Sequence, residues 1–270
     1  MKKAFIAVAG TGGAGKSFLA RELAVAYADK RGLSQTDNIR VLLIDANLDV
    51  SSQTCNFKLL PSRYDFTDLI TEHKRLSLRR DDALEYYNWA FLQKYLSYDE
   101  ARNLYILSNT KNRPTKGGVS HPDAITIYKA LFNQFDIIVC DLSNTWDGEN
   151  MAAFEMATDI IFVNTDTKTS HLKIMNCRRQ LIGRGMKDKL ENNSFLVCNM
   201  YRPDHTFMSP LATSAYLDLP LIGIIPYDME VQYILNVNAL VADSNETIAK
   251  AVYDIAGKLV HENMQYRKKK

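Results

Sequence analysis

"FIAVAGTGGAGKSFLARELA", Phe5 to Ala24, passes from an apolar run through a knot of glycines into a pattern with helical spacing. Gly10, four residues, then Gly15-Lys16-Ser17 fits G-x-x-x-x-G-K-[ST], the loop whose backbone N–H groups wrap around phosphates. The context agrees. Phe5 to Ala9 reads as a buried strand and Phe18 to Ala28 as a helix, so a phosphate would sit at a helix N-terminus, where unpaired donors and the positive end of the dipole converge. An ordinary glycine turn requires neither flank. The expected nucleotide contacts run through Gly10, Thr11, Gly12, Gly13, Ala14, Gly15, Lys16, Ser17 and Phe18, with the Lys16 charge directed at the β- and γ-phosphates.

Composition sets the outer bounds. The 270 residues are 46% apolar, enough for one sizeable α/β domain over 1–270, with 50–122 read as a helical insertion and flexible loop within it. A formal net charge of +2 excludes a whole-molecule field for nucleic acid, so any such contact must come from a local patch. Cys55, Cys140, Cys177 and Cys198 form no C-x-x-C pair, and Cys140 and Cys198 lie inside apolar runs; a reducing cytoplasm is the expected compartment. The apolar stretch after Met1-Lys2-Lys3 is too short for a secretion signal. No apolar run approaches the roughly eighteen residues of a transmembrane helix.

Along the chain, apolar β-rich runs alternate with helical patterns. The runs Ile39 to Asn47, Asn103 to Asn109, Phe135 to Ser143, Asp159 to Asp166, Ser194 to Met200 and Pro220 to Asp228 read as strands buried on both faces, which belong to a parallel sheet covered by helices. Helices are expected near Phe66 to Ile70, Asp82 to Leu96, Pro122 to Phe132, Met151 to Ala157, Ser170 to Ile182 and Glu246 to Glu262. Asn109 to Pro122, rich in Gly, Pro, Lys and Asn, reads as a flexible loop. The fold class is α/β: a doubly wound, mostly parallel sheet with helices on both faces, binding its ligand outside the strand C-termini.

"VLLIDAN" and "FDIIVCDLS" each end an apolar strand in a carboxylate, Asp45 and Asp141. That is the arrangement in which an aspartate holds magnesium directly or through water, with the Ser17 hydroxyl as the third oxygen. Either aspartate alone also suits a helix or turn cap.

"GTGGAGKS", "VLLIDAN", "FDIIVCDLS", "FLVCNM" and "IGIIPYD", in this order, resemble the ParA/MinD family of deviant-Walker P-loop ATPases over nearly the whole chain. The resemblance implies a cytoplasmic ATPase using ATP and magnesium, dimerising face to face with ATP at the interface and releasing its partner on hydrolysis. It implies that Asn199 faces the adenine and that Pro226, Tyr227 and Asp228 lie along the other side of the base. A turn-forming asparagine is the alternative for Asn199.

Two departures stand out. The family's signature lysine follows the first glycine, where this chain has Thr11, and a hydroxyl cannot replace a long cationic arm. The family's Asp-x-Asp becomes Asp45-Ala46-Asn47, and an amide can position a water but cannot take its proton. Asp49 is a candidate to compensate or a plain loop carboxylate. Binding is expected intact and hydrolysis slow, with Lys16, Asp45 and Asn47 as the catalytic set.

Lys168 to Lys189 is strongly basic and includes Arg178, Arg179 and Arg184. It reads as a solvated face, a sequence-independent DNA contact, or a phosphate contact across a dimer. The C-terminal helix has one apolar face for the core, and the final "YRKKK" lacks the apolar partners of a membrane-inserting helix, so membrane binding is not expected. The five histidines have no metal-ligand spacing. Two function classes remain. One is a nucleotide-switched ATPase of DNA partition, segregation or conjugative transfer, working as an ATP-dependent homodimer with a small DNA-binding adaptor protein. The other is a dethiobiotin-synthetase-like ligase on the same fold.

Overall fold

The computed structural model describes residues 3–29, 39–48, 53, 57, 59, 62–77, 86–109, 119–204, 207–237 and 239–261. Among the described residues, eight strands form one sheet: β1 (Ala4–Gly10), β2 (Val41–Asp45), β3 (Ser97–Asp99), β4 (Leu104–Leu107), β5 (Ile137–Asp141), β6 (Asp159–Asn164), β7 (Ser194–Tyr201) and β8 (Leu221–Pro226). Their spatial order is β3-β4-β2-β5-β1-β6-β7-β8. All neighbours are parallel except β3, an antiparallel edge strand on β4. The first strand of the chain is therefore central. Successive crossovers go to one side of it and then the other, which is the doubly wound arrangement.

Alternation along each strand divides the core in two. Phe5, Ala7 and Ala9 join Leu42, Ile44, Ile138, Cys140 and Phe162 on one face. Against it lie α2 (Phe66–Ser77), α4 (His121–Gln134), α5 (Gly148–Met156) and α6 (Lys168–Gly183); α3 (Trp89–Leu92) lies between α2 and β3 in sequence. Ile6 and Val8 join Val41, Leu43, Ile137, Val139 and Val163 on the other face, under α1 (Lys16–Ala28) and the C-terminal helix Glu246–His261. Helix α1 is buried on nearly every residue, and its alanines at 20, 24, 26 and 28 let it lie close to the sheet. Leu19 and Leu23, both fully buried, each contribute roughly 1.5–3 kcal/mol by leaving water.

Three short helices fall where no helix was expected: α7 (Lys187–Asn193), α8 (Pro210–Leu217) and α9 (Met229–Asn236); the Glu246–His261 helix is thus α10. In its described part the expected helix from Asp82 to Leu96 is broken at Tyr87-Asn88: Tyr86 is helical, and after the break come the single α-turn of α3 and a 3-10 turn at Gln93–Tyr95. Most of the expected loop from Asn109 to Pro122, and the basic C-terminal tail, lie outside the described residues. No helix among the described residues is long and apolar enough to cross a membrane.

Candidate functional site

The site grows from the end of β1. A Cβ on Gly10 would stand 2.5 Å from the Val163 carbonyl oxygen of β6, so only glycine lets the strand leave the sheet this close to its neighbour. The chain then turns, with the Ala14 N–H donating to the Thr11 carbonyl at 3.2 Å. Gly15 caps α1 in the left-handed region, φ +87°, and a Cβ there would collide with the Asn199 amide. Gly15 brings no side-chain cap to α1, and the first turn carries no acidic residue. The loop's backbone donors and the dipole end converge on the same concavity, which suits a phosphate.

Strand register places the carboxylates beneath it. Asp45 pairs with Asp141 across β2 and β5, and Val8 with Asp141 across β1 and β5. Each aspartate lies two residues beyond a core residue of the α1 face, Leu43 and Val139, so the period of two turns both carboxylates toward α1. Both are buried. Asp141 accepts a hydrogen bond from Ser17 and another from Gln53 Nε2 at 3.0 Å. Burial pushes its carboxyl above the usual range, opposed by these two donors and by the charges of Lys16 and Arg21. Asp45 accepts from the Asn47 N–H at 3.0 Å and the Gln53 N–H at 3.4 Å. The Lys16 ammonium donates to the Thr11 carbonyl at 3.2 Å and to Asn144 Oδ1 at 2.9 Å. Burial lowers its pKa, and Asp141 opposes the shift.

A cleft of about 370 Å³ opens beside α1, lined by Gly13, Gly15, Phe18 and Asn199 on one side and by Pro226, Tyr227 and Asp228 on the other. The residues expected around a base are thus brought together, with their polar groups partly committed. Asn199 Nδ2 donates to the Ala14 carbonyl at 2.8 Å, holding the loop from below. Asp228 caps α9 through the Glu230 N–H at 2.8 Å and accepts from Asn245 at 2.7 Å. The Tyr227 ring carries the Arg202 guanidinium 3.4 Å above its centroid.

The two departures take distinct forms. Thr11 is buried, its hydroxyl 3.4 Å from Ser170 Oγ on α6, so the side chain turns into the protein rather than out of the loop. Asn47 stays beside Asp45 at the strand end. Asp49 lies outside the described residues. The three arginines of the expected basic patch differ in their surroundings. Arg178 is half-buried and donates to the Leu217 carbonyl at the end of α8, and burial lowers its pKa. Arg184 lies over the Trp146 ring at 5.0 Å, and Arg179 reaches Asn176 Oδ1 at 3.4 Å. The three do not form one exposed face, because adjacent helical positions diverge by about 100° and packing of α8 claims Arg178.

Gln53 was not legible in the sequence. Fully buried, its amide nitrogen donates both to Asp141 and to the Ser17 carbonyl, at 3.1 Å. Both partners only accept there, which fixes the amide orientation. Its oxygen, and Asp141 Oδ1, are buried without a hydrogen-bond partner among the described residues. Unsatisfied buried oxygens beside a hydroxyl and a second carboxylate fit a hydrated magnesium ion, which binds through one or two carboxylates plus phosphate rather than through an all-protein cage. The described residues contain no group of three or more His, Cys, Asp or Glu placed to hold an ion.

Residues 5–239 match the family described as "CobQ/CobB/MinD/ParA nucleotide binding domain". Among solved structures, the chain is similar to the septum site-determining protein MinD of Pyrococcus horikoshii complexed with Mg-ADP, at 18% identity and TM-score 0.72, covering 98% of this chain and 100% of that one. A ParA family ATPase from Chlorobium tepidum gives 15% identity and TM-score 0.73, over 94% and 98%. A putative plasmid partition protein from Borrelia burgdorferi, bound to AMPPNP, gives 18% and 0.69, over 97% and 100%. No curated protein matches the sequence.

Proposed function

Because the chain belongs to the CobQ/CobB/MinD/ParA nucleotide-binding family, we propose that it is a magnesium-dependent ATP switch of the ParA/MinD kind, serving DNA partition, segregation or conjugative transfer in the cytoplasm. ATP lies in the loop from Gly10 to Phe18, its base in the cleft between Asn199 and Tyr227. Ser17, Asp45 and Asp141 hold magnesium, directly or through water. The bound ion screens the β- and γ-phosphate charge. The Lys16 ammonium, held by the Thr11 carbonyl and Asn144, is positioned to exchange those partners for phosphate oxygens. The observation that carries this reading is the in-register pair Asp45 and Asp141, turned toward Ser17 at the start of α1.

The chain turns over slowly, because Asn47 cannot accept a proton from water and Thr11 offers no cation. A long-lived ATP state favours a homodimer that holds its partner, a small DNA-binding adaptor protein, until hydrolysis. Direct DNA contact, if made, is to the backbone and independent of sequence. Sedimentation with magnesium and ATP, ADP or no nucleotide tests the switch. An ATP-specific doubling of mass is expected, and one mass under all three conditions contradicts it.

A further inference from the structure

A second cavity, also about 370 Å³, lies on the other side of the phosphate-type loop, and its walls include Gly10, Thr11, Gly12, Asn144, Trp146 and Lys173. It joins the first site through Asn144, whose Oδ1 holds the Lys16 ammonium. Among the described residues, no aspartate or glutamate lines it. Lys173 is exposed and makes no hydrogen bond or ion pair among the described residues, whereas Lys187 is engaged with Glu191 at 3.8 Å and Lys189 with backbone carbonyls at the end of α5; Lys168, equally unpaired among those residues, is not part of the cavity wall. An unpaired amine in a cavity without carboxylates, walled by a glycine-rich backbone, is suited to an anion.

Helix geometry says where that amine reaches. Ser170 Oγ lies 3.4 Å from Thr11 Oγ1, which anchors the first turn of α6 against the loop. Lys173 is three residues on, so it shares that face of the helix. Helical side chains lean toward the N-terminus of their own helix. The Lys173 stem therefore runs back over Ser170 toward Thr11 and Gly12.

We propose that Lys173 is a second cation for the terminal phosphoryl group of a nucleoside triphosphate held in the same chain's loop, so that this cavity makes the site distinguish triphosphate from diphosphate. The inference rests on the nucleotide reading above. Lys16 serves the loop side of the phosphates, Lys173 the α6 side, and a diphosphate leaves Lys173 without its partner.

The test is calorimetric titration of wild type, Lys173→Met and Lys173→Arg with magnesium and either ADP or a non-hydrolysable ATP analogue. Lys173→Met should weaken the analogue about tenfold or more, the loss of one charge-assisted contact, while ADP affinity stays within about twofold of wild type on the same scale. Lys173→Arg should recover most of the difference. Equal weakening of both nucleotides, or of neither, overturns the proposal. An effect present only at protein concentrations where the chain self-associates would give Lys173 to another copy's nucleotide and overturn the same-chain assignment. Lys16→Ala is the separate control: wild type binding neither nucleotide, or Lys16→Ala binding both normally, overturns the nucleotide reading itself.

Discussion

The Gln53 side-chain nitrogen stands 3.0 Å from Asp141 Oδ2 and 3.1 Å from the Ser17 carbonyl oxygen, tying the end of β5 to the first turn of α1. Asp141 is a buried carboxylate with few donors, so each one matters. Gln53→Leu should lower stability by about 1–3 kcal/mol, the cost of leaving a buried acceptor short of a partner. With Asp141→Asn added, the loss should be smaller than the sum of the two single changes, because the partner to be satisfied is no longer charged. Urea unfolding of the four proteins measures this coupling, and strict additivity would show that Gln53 does not support Asp141.

His171 gives a pH signature away from the site. It is buried on α6 between the Phe207 and Tyr216 rings, with centroids at 5.7 and 6.0 Å, and neither ring nitrogen has a hydrogen-bond partner among the described residues. Burial lowers its pKa, partly opposed by Asp166. The sign follows: the unfolded chain takes up the proton first as pH falls through about 6.5, so the folded state loses stability below that pH, down to the lowered folded value. His171→Phe keeps the ring packing and removes the titration. The Tm of wild type should fall more steeply than that of the variant between pH 7.5 and 5.5; parallel curves would count against this.

Much of this architecture was legible because it is written locally. The phosphate-type loop is one contiguous run, and Asp45 and Asp141 each follow an unbroken apolar strand, so the sheet's register had only to bring them side by side. What escaped lacks local signal. Gln53 lies in a stretch with no hydrophobic period, and its importance comes from three tertiary contacts. β3 is three residues long, and α7, α8 and α9 are eight residues or fewer, too short for amphipathic spacing to register. Two of them did carry a cap signal: Ser209 before Pro210 at the start of α8, and Asp228 at the start of α9. Arg178 reads as a free charge until α8 is seen to lie against it.

Asn199 supports the loop through the Ala14 carbonyl from below. Asn199→Ala should cost about 1 kcal/mol of stability and weaken adenine nucleotides more than inorganic triphosphate, since the cleft wall beside the base is changed while the phosphate loop keeps its donors. Competition binding with the two ligands measures this. Equal weakening would place the base elsewhere.

The substitutions at the departures carry the kinetic prediction. Wild-type turnover should lie well below the roughly 1–10³ per second of typical enzymes. Asn47→Asp restores a carboxylate beside Asp45 and should raise phosphate release at saturating ATP and magnesium, within the roughly 10²–10⁴-fold that a positioned base supplies. Thr11→Lys, which must leave its contact with Ser170 to reach the phosphates, should add to the gain when combined with Asn47→Asp. A wild-type rate of several per second, or a slow rate that neither change alters, would show that another residue does this chemistry.

The central claim is that the glycine loop and its lysine hold the phosphates of ATP. Calorimetric titration of magnesium-ATP into wild type and Lys16→Ala, with their melting curves recorded alongside, tests it most directly. Wild type should bind one nucleotide per chain; the variant should lose roughly tenfold to a hundredfold in affinity, the equivalent of one or two charge-assisted hydrogen bonds, with its cooperative melt retained. A folded Lys16→Ala protein that binds magnesium-ATP as tightly as wild type would contradict the account.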